Sequence, residues 1–150
     1  MIGGAVCSLA FGAACHATAQ HRDARLTVRP RSGVRTQSAG TQTLGLGERR
    51  DAILHIPPDA ATPLPLLVLL HGAGGSGANM LRRIVRFTDA AGIAVLAPDS
   101  RGTTWDVIRG SFGPDVSFVN TALGRVFDIV AVDPSRIIVG GFSDGASYAI

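Results

Sequence analysis

Gly141-Phe142-Ser143-Asp144-Gly145 sets a serine between two glycines in the spacing G-x-S-x-G. A serine in that spacing can act as a nucleophile when it sits on a sharp turn from a buried strand into a helix, because the turn projects its hydroxyl outward. The residues two before and two after must then be nearly free of side chain, since strand and helix backbones pass close together there. Gly141 and Gly145 meet that demand, and Gly140, Ala146 and Ser147 keep the surroundings small. An ordinary glycine-rich turn with a serine N-cap would carry the same letters. The strand before and the helix after are what distinguish the two.

The second group is His71-Gly72-Ala73-Gly74-Gly75. Attack of a serine on an ester carbonyl passes through a tetrahedral oxyanion, and one backbone N–H fixed to receive it is worth about 10²–10³ in rate. One donor is the amide after the nucleophile, here Asp144. The other comes from the loop after an earlier central strand, where Ala73 stands. Glycines let that loop turn back toward the serine without steric penalty. His71 could serve as a base, but a histidine at a strand end more often orients its loop by hydrogen bonding. His16 and His21 belong to the N-terminal stretch and His55 to a strand, so none of the three is a convincing base.

The elements that must position these residues are legible in the hydrophobic pattern. Ala52-Ile53-Leu54-His55-Ile56 reads as a strand closed by Pro57-Pro58. LPLLVLL, 64–70, is a continuous apolar run of the kind buried on both faces of a parallel sheet. After the glycine loop a helix is expected from about Asn79 to Ala91, with Leu81, Ile84, Val85 and Thr88 on one face and Arg82, Arg83 and Arg86 on the other. Residues 93–97 form the next strand. Asp115 is expected to cap a second helix, in which Val116, Val119, Leu123, Val126 and Val130 recur at helical spacing. Asp133-Pro134-Ser135 ends it, and residues 136–140 form a third buried strand running straight into the serine turn. Alternating strands and helices after the first pair imply an α/β fold, a mostly parallel sheet with helices on both faces.

The rest of the sequence excludes other classes. Hydrophobic residues make up 46% and charged residues 17%, a globular composition. Residues 1–50 carry seven Arg against Asp23 and Glu48, a balance of +5, whereas residues 51–150 carry seven Arg against nine Asp, a balance of −2. The basic charge therefore lies outside the folded part, which argues against nucleic-acid binding. Residues 1–19 are apolar, rich in small residues and end in Ala17-Thr18-Ala19, the pattern of a signal peptide cleaved after Ala19, though without a basic n-region. A secreted or periplasmic location is expected, with no stable membrane insertion after cleavage. Cleavage would also remove Cys7 and Cys15, and with them any thiol chemistry. Residues 20–47 read as a linker or loosely packed lead-in with one short edge strand at 26–28, and residues 48–150 as the N-terminal, incomplete portion of an α/β domain. Trp105 stands at the carboxyl side of the sheet, either walling a substrate pocket or packing its loop onto the sheet.

One rival is a dinucleotide-binding unit. Gly72-x-Gly74-x-x-Gly77 follows a strand and opens a helix, and Asp99 ends the next strand 22 residues after Gly77. The preceding strand at 52–56, the long loop before the helix and the unexplained GFSDG count against it.

Taken together, LPLLVLLHGAGGSGANM, LAPDSRGTTWD, GPDVSFVNTAL and VDPSRIIVGGFSDGASYA resemble secreted bacterial α/β-hydrolases, in the branch of phospholipase/carboxylesterase and polyhydroxybutyrate-depolymerase-like esterases. The resemblance covers about residues 42–150. It implies the N-terminal half of an α/β-hydrolase fold, a Ser–Asp–His triad, carboxylic-ester substrates of small-molecule, lipid or polymeric kind, and no cofactor or metal. It matches Ser143 to the nucleophile, Ala73 and Asp144 to the oxyanion donors, and His71, Gly72, Gly141 and Gly145 to the residues that support the two motifs. In that family the acid and histidine follow the nucleophile by about a hundred residues, so they are expected beyond Ile150. The alternative expectation is an inactive hydrolase fragment with at most a binding role.

Overall fold

The computed structural model describes residues 24–110 and 112–150; the expected signal peptide and its cysteines lie outside them. Five strands form one sheet: β1 (Gly40–Thr43), β2 (Ala52–Ile56), β3 (Leu64–Leu70), β4 (Ala94–Pro98) and β5 (Val132–Gly141), in the order β1-β2-β4-β3-β5. Among the described residues three α-helices accompany them, α1 (Gly77–Ala90), α2 (Pro114–Ile129) and α3 (Asp144–Ala149), with one 3-10 turn at Asp106–Arg109. Strands β4, β3 and β5 run parallel, as expected, while β1 and β2 join antiparallel at one edge, so the sheet as a whole is mixed.

The chain goes from β3 through α1 to β4 on one side, then from β4 through α2 to β5 on the other side of β3. Right-handed crossovers taken in opposite directions put their helices on opposite faces. The packing follows. Leu64, Leu66, Val68 and Leu70 point into the core with α2, whereas Leu67 and Leu69 meet Leu81, Ile84 and Val85 of α1. An apolar run with no alternation is thus a strand covered on both sides. The reversal of direction also brings the carboxyl ends of β3 and β5 side by side, the crevice where open α/β sheets place their chemistry.

Several elements differ from expectation for identifiable reasons. The lead-in carries β1, which closes the sheet edge against β2. Residues 26–28 are not a strand; instead Asn120 Oδ1 accepts from the N–H groups of Thr27 and Val28 at 2.7 and 3.1 Å. Helix α1 begins two residues earlier than expected because Ser76 is its cap, its hydroxyl accepting from Asn79 N–H. Asp115 is not the cap of α2. It lies inside the first turn, fully buried, and accepts from the N–H groups of Arg101 and Asp106. Asp106 in turn accepts from Asp115 N–H at 2.9 Å. Strand β5, expected to be buried, has Ile138 55% and Val139 39% exposed, because among the described residues it pairs with β3 alone and is an edge strand. Among the described residues no helix is long and apolar enough to cross a membrane.

Candidate active site

The turn at Ser143 is built by steric exclusion. Strand β5 ends at Gly141 and α3 starts at Asp144, leaving two residues to reverse the chain. A Cβ on Gly141 would stand 2.4 Å from the Gly145 carbonyl carbon, and one on Gly145 would stand 2.4 Å from Leu70 O. Real Cβ atoms do not approach backbone that closely, so both positions require glycine. Ser143 itself has φ 52° and ψ −123°, a conformation that costs a non-glycine residue about 1–3 kcal/mol. Its side chain is exposed. Phe142 N–H donates to Leu70 O at 3.1 Å, and Ala146 and Ser147 N–H donate to Ser143 O, fastening the turn to β3 on one side and to α3 on the other.

The glycine loop after β3 lies directly against this turn. A Cβ on Gly72 would be 3.2 Å from Ser143 Cβ and 3.3 Å from Phe142 O. His71, which heads the loop, is fully buried. Its Nδ1 is 2.7 Å from Gly72 O and its Nε2 is 3.0 Å from Ser100 N, so Nδ1 carries the hydrogen and Nε2 accepts. Arg50 adds a donor to Nε2 at 3.2 Å and reaches Gly75 O and Ser100 O. With both ring nitrogens engaged in the loop, His71 orients it and is not placed as a base toward Ser143. Gly74 N–H donates to Thr103 O, which ties the loop tip to the segment after β4.

That segment supplies contacts the sequence did not suggest. Thr104 Oγ1 donates to Asp144 Oδ2 across the mouth of the site. Trp105 Nε1 donates to His71 O at 2.7 Å, and the indole stacks on Tyr148 at 5.0 Å between centroids. Trp105 is 0% exposed. It therefore packs its loop onto the sheet, and the pocket-wall reading is corrected: a fully buried indole presents no surface to a ligand. Tyr148 O–H donates to Asp106 Oδ1 at 3.0 Å, and burial with the neighbouring Asp106 charge pushes its hydroxyl pKa well up. Burial likewise raises Asp115, partly offset by its two backbone donors. Burial lowers Arg101, whose guanidinium lies 3.4 Å from the Phe118 ring centroid. None of these contacts has a local sequence signal, since each joins residues at least nine positions apart whose meeting depends on the tertiary fold.

Beside Ser143 a cleft of about 200 Å³ is lined by His71, Gly72, Ala73, Met80, Arg83 and Phe142. Asp99, the acid of the dinucleotide reading, accepts from Gly77 N–H at 2.7 Å. Its carboxylate thus occupies the α1 N-terminus where a pyrophosphate would have to sit, and like charge excludes one.

No family model matches the chain. It is 31% identical over 115 residues, 69% of its length, to the protein of Nocardia uniformis subsp. tsuyamanensis named "Putative esterase NocK", of which it spans 33%. Among solved structures it is similar to the acetyl xylan esterase from Aspergillus awamori (TM-score 0.58, 20% identity, 73% of this chain and 45% of that one). It is similar also to the fluorophosphonate-binding serine hydrolase FphF of Staphylococcus aureus (0.56, 16%, 73% and 49%). The esterase Est2 of Thermogutta terrifontis gives 0.53 at 24% identity, over 74% and 43%. The chain spans less than half the length of each of these. Its β3–α1–β4–α2–β5 path and the sequence shared with the Nocardia protein lead to one conclusion: the chain belongs to the esterases of the α/β-hydrolase type.

Proposed function

We propose that Ser143 is the nucleophile of a carboxylic-ester hydrolase. The observation that carries this is the strained Ser143 backbone, φ 52°, held between two glycines that cannot bear a Cβ. A fold keeps such strain where the exposed hydroxyl has work to do. In the proposed reaction Ser143 Oγ bonds to the ester carbonyl carbon while its proton passes to a histidine. The N–H groups of Ala73 and Asp144 receive the oxyanion, the alcohol leaves, and water then frees the acid. The two described histidines are committed elsewhere, His71 to its loop and His55 to Thr41 and Asp89. We therefore assign the base and its acid partner to residues outside those described, as the resemblance to bacterial esterases implies. Without them the elbow would retain only binding and oxyanion effects, the situation of an inactive fragment with a binding role.

One experiment separates these readings and tests export as well. A tagged fluorophosphonate is applied to native source material, and the labelled protein is characterised by intact mass, peptide mapping and N-terminal sequencing. The expected result is a tag on Ser143 in a polypeptide that starts at Gln20 and is heavier than the 150-residue chain less its first nineteen residues. A Ser143 that stays untagged in every form of the protein would overturn the nucleophile assignment. A tagged protein that retains residues 1–19 would overturn export.

A further inference from the structure

A second hydroxyl in this chain has the partners that Ser143 is not given among the described residues. His55, in the middle of β2, is 7% exposed and uses both ring nitrogens. Its Nδ1 is 2.7 Å from Thr41 Oγ1 and its Nε2 is 2.7 Å from Asp89 Oδ1. A carboxylate oxygen can only accept, so Nε2 carries the hydrogen and Nδ1 is left to accept the Thr41 hydroxyl proton. The result is a hydroxyl, an imidazole and a carboxylate in series, with Thr41 the exposed member.

The fold holds this series in place from three elements. Thr41 is directly opposite His55 in the β1–β2 ladder, and Asp89 comes from the last turn of α1. The bond from Leu44 N–H to Ala52 O fixes the ladder phase, making Thr41–His55 a pair without mutual backbone bonds, in which side chains approach most closely. Thr41 N–H then points away from β2, out of the open sheet edge.

We propose that Thr41 is a second acyl-accepting hydroxyl, activated by His55 and Asp89, and so a site of covalent modification by activated carboxylic esters. The step balances within the series. Thr41 Oγ1 bonds to the acyl carbon, the bond from that carbon to the leaving alkoxide or phenolate breaks, and the Thr41 proton moves to His55 Nδ1. Asp89 stabilises the resulting imidazolium, which returns its extra proton to solvent. One acyl group is transferred per chain, independently of Ser143.

The test is acetylation of the Ser143→Ala chain by p-nitrophenyl acetate, mapped by tandem mass spectrometry. The sequence contains no lysine to compete, and cleavage at arginine releases residues 36–49 with Thr41 and Thr43 on one peptide. Thr43 is the internal comparator: it lies on the same strand, likewise exposed, but opposite Ile53. The expected result is acetylation of Thr41 about tenfold or more above Thr43, with His55→Gln and Asp89→Asn reducing Thr41 to the level of Thr43. Thr41 labelled no more than Thr43, or labelling undiminished in a folded Asp89→Asn chain, would overturn the proposal and leave the three residues as a structural clasp. The comparison with Thr43 is made inside a chain whose series is intact, so it decides the matter even where a variant fails to fold.

Discussion

At the scale of single residues, strain and space explain the site better than side-chain chemistry does. Gly141 and Gly145 stand where a Cβ would meet backbone at 2.4 Å, and between them Ser143 carries a left-handed φ of 52°. Replacing Ser143 by glycine removes strain of about 1–3 kcal/mol, against a glycine entropy cost of about 0.5–1 kcal/mol. The Ser143→Gly chain is therefore expected to be more stable by about 1 kcal/mol, a rise of ~4 °C in the thermal midpoint. Ser143→Ala keeps its Cβ and its strain and should show no such rise. Thermal unfolding of the two variants side by side checks this; equal midpoints would mean that the turn stores no strain. The glycine demand could be read from G-x-S-x-G because it is local. Trp105 could not be resolved the same way: its commitment depends on His71 O, at the head of a loop 34 residues away in sequence, and on Tyr148 of α3.

At the scale of elements, the sequence located strands and helices wherever burial imposes a period and misjudged them wherever a polar contact decides. LPLLVLL and the α1 stripe were legible since both faces of β3 and one face of α1 enter the core. Asp115 looked like a cap, yet its carboxylate instead braces the loop after β4 from inside the first turn of α2. The start of β5 is another case. Asp133-Pro134-Ser135 reads in sequence as the end of α2, but the helix stops at Ile129 with Val130 already extended, and the three residues form a bulge within the strand, the register slipping between Val132 opposite Leu64 and Ile137 opposite Leu66. Asp133 organises that bulge, accepting from Ser135 O–H and N–H and from Arg136. The Ser135 hydroxyl first, then Arg136, hold its pKa down at about 2. A carboxyl whose folded pKa lies below its unfolded value adds stability at all pH above the ordinary carboxylate range, and that share is lost as pH falls through the folded value. The Asp133 carboxyl is accordingly expected to titrate near 2 by NMR, and Ser135→Ala should move its midpoint upward toward that of a free aspartate. A midpoint unchanged by Ser135→Ala would show that the hydroxyl does not hold the charge.

For the whole molecule, the crossovers decide which apolar surface is covered. Helix α1 covers β3 and β4 on one face and α2 covers the other, but β5 lies beyond α1 at the sheet edge. The hydrophobic run 137–139 matches a buried strand in sequence, and only the strand order reveals that Ile138 at 55% and Val139 at 39% exposure stand open beside Phe142 at 65%. An edge with unpaired backbone groups and exposed β-branched side chains is a template for pairing with another strand. The 150-residue chain in isolation is therefore expected to self-associate through β5, in a manner that grows with concentration. A lysine on such an edge opposes pairing, because a second strand would have to bury or crowd its charge. Ile138→Lys should shift the chain toward monomer in sedimentation velocity, while a lysine at Gln42 on the opposite, polar edge strand should change nothing. Sedimentation of the unaltered chain that is independent of concentration, or association that Ile138→Lys leaves intact, would place the sticky surface elsewhere and remove β5 from the explanation.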